Sequence, residues 1–454
     1  DIIFSNQSSI ACYFTENGSE KSYTYADYEQ YINHFSSHIQ RTVGKQHKGR
    51  YIGIALDTCP LWPAVFWGIL KAGYHAVLFN FAAPADILRN LILESNAVAI
   101  VSDKKRGLEI AEITLEELRQ ESSVSPDFQE DFADKIALCT SGTTGNSRIF
   151  VYDGNAICNQ VLSSEILYDR CKRIVDNKPR KSLAFLPYHH VFGFLTGVLW
   201  IAFIGYINVY IPDRAPNTIL EACNKYKINL LITVPILANN ICVGLEKKLQ
   251  QAPAAAKVLF NVLKGLSLNV QRLNPEGGIQ FAKNVLFKKF QSKLLGPDIE
   301  CIILGGSHTP TEHLKTLSAL GYYTVCGFGM TETAINSVET DLSLKKRLLG
   351  SVGMPLSNIE YRIKPIGNKN NVGEMLIKGE TLHIGMLKNG ELTAPERVDS
   401  EWFPTGDIVR IEKDSRVYVE GRCKDIIINE SGENVYPDEI EDHFSKLENI
   451  EQFS

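Results

Sequence analysis

Between residues 51 and 102 the chain alternates short apolar runs with helical ones, and this alternation constrains its fold more than any other feature. Residues 51–56, 75–79 and 98–102 read as buried strands. Residues 63–72 and 84–95 read as helices, each with a proline at its start. Strands separated by helices require right-handed crossovers and a mostly parallel sheet covered on both faces. Upstream, Thr24 is placed to cap a helix whose apolar positions Tyr28, Tyr31, Ile32, Phe35 and Ile39 fall at helical spacing. The pattern resumes with strands at 181–187, 229–235 and 300–306, each ending in Pro or Gly where a loop leaves the sheet. Ligands of open α/β sheets bind at such carboxyl ends. Beyond residue 336 the texture changes to short alternating runs at 359–363 and 374–378, punctuated by Gly and Asn, which predicts a small β-barrel or sandwich.

One segment imitates a membrane span. Residues 191–211 carry no charge and have the length, about 20 residues, of a bilayer-crossing helix. Gly193, Gly197, Gly205 and Asn208 interrupt the run, so a buried helix followed by a strand at 208–211 is the expected structure. A chain of 454 residues with 44% apolar content can build more than one domain. Its net charge of −5 excludes a global attraction to nucleic acid. The ten cysteines are scattered without a Cys-x-x-Cys pair, which argues against a zinc site or disulfide framework and for a reducing cytoplasm. Asp1 is not followed by a basic-then-apolar leader, so no signal peptide is expected.

The densest chemistry lies at residues 140–148. Gly142 and Gly145 permit close backbone approach, the hydroxyls of Thr140, Ser141, Thr143 and Thr144 can donate to phosphate oxygens, and Arg148 adds a permanent cation. No Gly-Lys-Ser/Thr follows, so this is not a Walker loop. Taken alone, such a cluster is as often a plain loop as a phosphate site.

Its companions decide. In order along the chain they are the segment 187–193 with His189 and His190, then Gly305, Gly306 and Ser307, then 327–333 with Gly327, Phe328, Gly329, Met330, Thr331 and Glu332. Asp407 after Thr405 and Gly406, Arg422 and Lys424 after Gly421, and the segment 432–441 complete the set. This series resembles the adenylate-forming superfamily of acyl- and aryl-CoA synthetases, luciferases and peptide-synthetase adenylation domains, over roughly residues 22–441. The resemblance implies two doubly wound α/β subdomains within residues 1–335, a small β-barrel and hinge approach at 336–422, and the start of an α+β C-terminal lid at 423–454.

It also implies roles. ATP and Mg²⁺ would activate a carboxylic acid as an acyl-adenylate, with CoA as the thioester-forming co-substrate. The 140–148 loop would hold the β- and γ-phosphates, Thr331 would contact phosphate, and Glu332 would help hold Mg²⁺. Asp407 would accept from the ribose hydroxyls, with Arg422 near the same sugar. Phe328 would stack near adenine in a pocket lined by residues 305–307 and 327–330. His190 would lie between acyl pocket and reacting carboxylate, and Lys424 would be the hinge. A catalytic base is not required, because a carboxylic acid is already ionised at neutral pH.

Two departures stand out. Asn146, Ser147 and Arg148 replace the commoner Pro and Lys, keeping the cation but changing its geometry. The sequence shown ends at Ser454, short of the roughly 100 residues a compact lid needs, and carries no candidate for the lid's catalytic lysine.

Residues 188–194 hold no acidic side chain to pair with an α-amine, which disfavours a free amino acid as substrate. Residues 254–270 and 281–295 read as basic amphipathic helices, including Lys283, Lys288, Lys289 and Lys293, in a stretch that resembles the long-chain acyl-CoA synthetases. A solvated charged face and a membrane-surface contact through 254–295 are both open there. A fatty acid is the expected substrate and the cytoplasm, or its membrane face, the expected location. An acyl-carrier protein as acceptor and a nucleotide-binding protein without turnover are the rivals.

Overall fold

The computed structural model describes residues 7–120, 132–140, 148–175, 180–366, 371–423, 427–428 and 434–435. Two large sheets organise them, one of eight strands and one of thirteen.

In the first sheet, Tyr51–Ala55 lies between His75–Leu78 and Ala97–Ser102, with Ala111–Thr114 and Ile136–Cys139 extending the parallel order outward. All five residues of Tyr51–Ala55 are buried because both faces are covered. Ile52 and Ile54 enter one core with Trp62 and Phe66, whereas Tyr51 and Ala55 enter another with Leu88 and Ile92. Two-sided burial is why the strands read as continuous apolar runs. The helix Tyr25–Val43 starts as the sequence predicts. Thr24 Oγ1 accepts from the Asp27 N–H at 3.2 Å, and the Asp27 carboxylate accepts from the Thr24 N–H at 2.7 Å.

The second sheet places Lys181–Ala184, Leu230–Thr233, Cys301–Leu304 and the start of Thr324–Met330 in parallel, with Ile207–Tyr210 on the outer side of Lys181–Ala184. The hairpin Ile10–Glu16 and Ser19–Thr24 closes that edge, so the first described strands belong to the second sheet although the next helix serves the first.

At the other edge the ladder continues antiparallel through Ala334–Val338, Ser351–Pro355, Val417–Arg422, Phe403–Ile411, Val372–Gly379 and Ile359–Pro365. The small β unit is therefore hydrogen-bonded in line with the second sheet. A buried ion pair fastens the join. Glu339 is fully buried, and the Arg416 guanidinium contacts both its carboxylate oxygens and reaches Asp341 Oδ2 at 3.2 Å. Residues 385–393, grouped by sequence with the β unit, leave it: Gly385–Lys388 pairs with Ile149–Tyr152 at the edge of the first sheet. Sequence texture reports strand character but not which sheet a strand joins.

The uncharged 191–211 segment is broken into Val191–Phe194, a π-helical stretch Leu195–Trp200, Ile201–Phe203 and the strand Ile207–Tyr210. Among the described residues no helix is long and apolar enough to cross a membrane.

The basic helices need correction. The first runs Ala254–Leu273, but the second is split into Pro275–Phe281, a π turn Ala282–Leu286 and a short Lys288–Gln291. Lys283 is not on a basic surface. It is buried, donating to Glu300 Oε1 at 2.7 Å and to the Ile299 carbonyl at 3.1 Å.

Candidate active site

Four segments converge where the carboxyl ends of the strands meet the β unit. The 140–148 loop connects Ile136–Cys139 to Ile149–Tyr152, and its base is tied shut. The Thr140 N–H donates to the Arg148 carbonyl at 2.9 Å, and the Arg148 N–H donates to Thr140 Oγ1 at 3.0 Å. Ser141, Gly142, Thr143, Thr144 and Gly145 lie outside the described residues, as does Lys424. Arg148 itself is exposed at the loop's exit.

Thr324–Met330 runs parallel to Cys301–Leu304 as far as Cys326, then folds into a hairpin with Ala334–Val338. Gly329 is required there, since a Cβ would stand 2.4 Å from the Ala334 carbonyl. Thr331, Glu332 and Thr333 form the turn, closed by the Thr333 N–H on the Met330 carbonyl at 3.1 Å. Burial raises the pKa of Glu332 above the ordinary carboxylate value, and the positive charges of Arg148 and Arg422 partly offset it. Arg148, at the exit of the 140–148 segment, and Arg422 are thus both within electrostatic range of Glu332.

Asp407 and Arg422 complete it. They sit opposite each other on Phe403–Ile411 and Val417–Arg422, with Arg422 Nε 3.2 Å from Asp407 Oδ1. Asp407 is buried while Arg422 is largely exposed. Phe328 is half-buried and leans on the main core.

A second group forms beside Gly305, Gly306 and Ser307, which follow Cys301–Leu304. A Cβ on Gly305 would lie 3.0 Å from the Phe192 ring, so the helix opened by His190 packs directly on this glycine. Gly193 makes that helix start possible, because a Cβ there would meet the Pro187 carbonyl at 2.3 Å. The histidines diverge. His190 caps the helix and is exposed, whereas His189 is buried with neither ring nitrogen hydrogen-bonded among the described residues. Burial, then the charges of His190 and Arg214, push the His189 pKa down to about 3, so it is neutral.

Three contributors had no sequence signal: Tyr152, His383 and Arg397. Tyr152 donates to the Thr331 carbonyl at 2.7 Å, His383 Nδ1 is 2.5 Å from the Glu332 carbonyl, and Arg397 donates to the His383 carbonyl at 3.0 Å. None lies in a motif; Tyr152 sits on the strand that leaves the 140–148 segment, and the crossing of the 380s back to the first sheet brings His383 beside it.

The donor set suits a phosphate-bridged magnesium ion. Among the described residues no cluster of three or more His, Cys, Asp or Glu side chains could hold a metal on its own, and Mg²⁺ typically takes one or two carboxylates plus phosphate oxygens and water. Glu332 would supply such a carboxylate.

Two large sheets, with Glu332 in a buried turn and Asp407 paired with Arg422 on adjacent strands, form the candidate site. The chain belongs to the AMP-binding enzyme family, whose model matches residues 5–387. It is 26% identical over 455 residues to a 2-succinylbenzoate–CoA ligase of Oceanobacillus iheyensis, covering 96% of this chain and 81% of that one. It is also 26% identical over 328 residues to long chain acyl-CoA synthetase 3 of Arabidopsis thaliana, covering 69% of this chain and 48% of that one. The chain thus spans only about half the length of such long-chain synthetases. Among solved structures, the o-succinylbenzoate CoA synthetase of Bacillus subtilis in complex with its acyl-adenylate intermediate superposes with a TM-score of 0.76 at 19% identity, covering 99% of this chain and 83% of that one. A fatty acyl CoA synthetase of Mycobacterium tuberculosis gives 0.69 at 20%, with the same coverage. At these identities the structural likeness bears on the fold.

Proposed function

We propose that the protein is an AMP-forming acid:CoA ligase acting on a fatty acid. The observation that carries the reading is the convergence of Arg148, Glu332, Arg422 and Asp407 at one site. Such a site accounts for each part of ATP. Asp407 accepts from the ribose hydroxyls, Arg422 stands beside the sugar, Phe328 and residues 305–307 flank the adenine, and Arg148 with the 140–148 loop takes the β- and γ-phosphates. Thr331 and Glu332 face the same phosphates, where bound Mg²⁺ would neutralise charge.

The acid's carboxylate then attacks the α-phosphorus, a new P–O bond forms, and pyrophosphate leaves as the P–O bond to it breaks. His190 borders the carboxylate. CoA thiol attack on the acyl carbon releases AMP and gives the thioester. The absence of an acidic side chain in residues 188–194 supports an acid without an α-amine.

Relatives with both 2-succinylbenzoate and long-chain fatty acids in their names make the acid the open variable. Pyrophosphate release with fatty acids of graded length and with 2-succinylbenzoate tests it. The fatty-acid reading predicts a length optimum, a 2-succinylbenzoate preference would replace the substrate, and silence with every acid would leave a nucleotide-binding protein. Replacing CoA by acyl-carrier protein in the same assay separates the two acceptors.

The outer face of Ala254–Leu273 supports contact with the cytoplasmic surface of an anionic membrane. The helix buries Phe260 in the main core, with Leu263 and Leu268 packed against it. Its inner face is further held by hydrogen bonds, Ser267 to the Ala319 carbonyl at 2.7 Å and Gln271 to the Ser318 carbonyl at 2.8 Å. Its outer face exposes Val258, Leu259, Val262, Leu266 and Leu273, the last at 89%. Arg272, Lys288, Lys289 and Lys293 are exposed nearby in sequence, and the single carboxylate between residues 250 and 297, Glu276, is bound to Arg173. Exposed apolar side chains followed along the chain by exposed cations suit a lipid interface.

A further inference from the structure

The turn at residues 331–333 poses a positioning problem. A carboxylate that holds a metal must present its oxygens in fixed places, yet a hairpin turn has few ladder bonds to fix it. Here both peptide groups that flank the Glu332 Cα are captured by side chains from elsewhere. The carbonyl before it, that of Thr331, accepts from the Tyr152 hydroxyl at 2.7 Å. Its own carbonyl accepts from His383 Nδ1 at 2.5 Å, which requires the proton on that nitrogen.

Both donors are rigidly seated. Tyr152 is fully buried and His383 is 3% exposed. The His383 ring is boxed by Phe150 at 5.0 Å, Phe403 at 5.3 Å and Tyr152 at 6.4 Å between centroids. Arg397 fixes the His383 backbone and lies over the Phe403 ring at 5.3 Å.

The provenance of these partners matters. Phe150 and Tyr152 belong to the strand that leaves the 140–148 loop directly after Arg148. Phe403 opens the strand that carries Asp407. The His383 ring is therefore the point at which the phosphate-loop strand, the Glu332 turn and the ribose strand touch. We infer that Tyr152 and His383 are positioning residues that fix Glu332 relative to Arg148 and so set the metal-dependent part of nucleotide binding. This rests on the ligase reading above only in assigning ATP and Mg²⁺ to the site.

The two hydrogen bonds can be removed while ring packing is kept, with Tyr152→Phe, His383→Phe and the double variant. The measurement is calorimetric binding of ATP with and without Mg²⁺, beside AMP without metal, on the full chain. In the wild type Mg²⁺ is expected to tighten ATP. In the double variant that gain shrinks about tenfold, as when partners of a metal ligand are removed. AMP affinity, set by Asp407 and the adenine pocket, stays within about twofold of wild type. A merely structural role lowers ATP and AMP binding together, and that result, or an unchanged Mg²⁺ gain, overturns the inference. Wild-type protein that binds no ATP would instead refute the nucleotide assignment itself, so the two failures are distinguishable.

Discussion

Arg422 and Asp407 face each other across one rung of the ladder between Phe403–Ile411 and Val417–Arg422, with a buried carboxylate and an exposed guanidinium 3.2 Å apart. The arrangement leaves the carboxylate sheltered from bulk water while its partner remains at the rim. A buried acceptor beside a movable cation suits a ligand hydroxyl pair, because charged acceptors form the stronger hydrogen bonds.

Asp407→Ala is therefore expected to weaken ATP and AMP alike by roughly 1.5–3 kcal/mol, about a tenfold to hundredfold loss. Isothermal calorimetry on both nucleotides checks it. Unchanged AMP affinity contradicts the ribose role.

His189 predicts an acid sensitivity. Its folded pKa, about 3, lies below the ordinary imidazole value of 6.5, so the unfolded chain binds the extra proton first. The contribution is neutral above pH 6.5 and destabilising as pH falls below it, reaching about 2 kcal/mol near pH 5. Since neither ring nitrogen has a partner among the described residues, His189→Leu should keep the fold at pH 7.5 and lose less stability than wild type between pH 7.5 and 5. Urea unfolding midpoints at the two pH values measure the difference. Parallel losses would remove His189 as the cause.

Glu339 and Arg416 tie the second sheet to the β unit through a buried pair. Glu339→Gln leaves a buried guanidinium without its main counter-charge and should destabilise by about 3–5 kcal/mol. Denaturant unfolding reports this. A change below about 1 kcal/mol, the scale of exposed pairs, would mean that water reaches the pair.

The exposed apolar face of Ala254–Leu273 makes a prediction that stability does not confound. Replacing Val258, Val262 and Leu266 with Ser alters exposed positions only, so the unfolding midpoint should hold. Cosedimentation with phosphatidylglycerol vesicles should fall to the level seen with phosphatidylcholine, and wild-type binding should weaken as salt rises. Wild-type protein that ignores anionic vesicles, or that dimerises through this face, rules out the membrane contact.

Much of the architecture is local and therefore legible in sequence. Thr24 with Asp27 announces the first helix, and the two-sided burial of Tyr51–Ala55 is written as an unbroken apolar run. The order of short motifs likewise points to the family, which the match over residues 5–387 shows. Sheet membership was not legible. The strands Ile10–Glu16 and Gly385–Lys388 look like any others, and hydrogen bonds between distant segments decide which sheet takes them. Nor could sequence show that Lys283 folds inward onto Glu300 while Val258 and Leu273 turn outward, because helical periodicity gives faces but not which face the core claims. The residues that hold Glu332 in place, Tyr152 and His383, come from segments far apart in the chain and belong to no motif. The sequence by itself determined the chemical groups available to a nucleotide. Tertiary structure alone decided how rigidly they are held, because orientation depends on contacts among residues that chain order does not bring together.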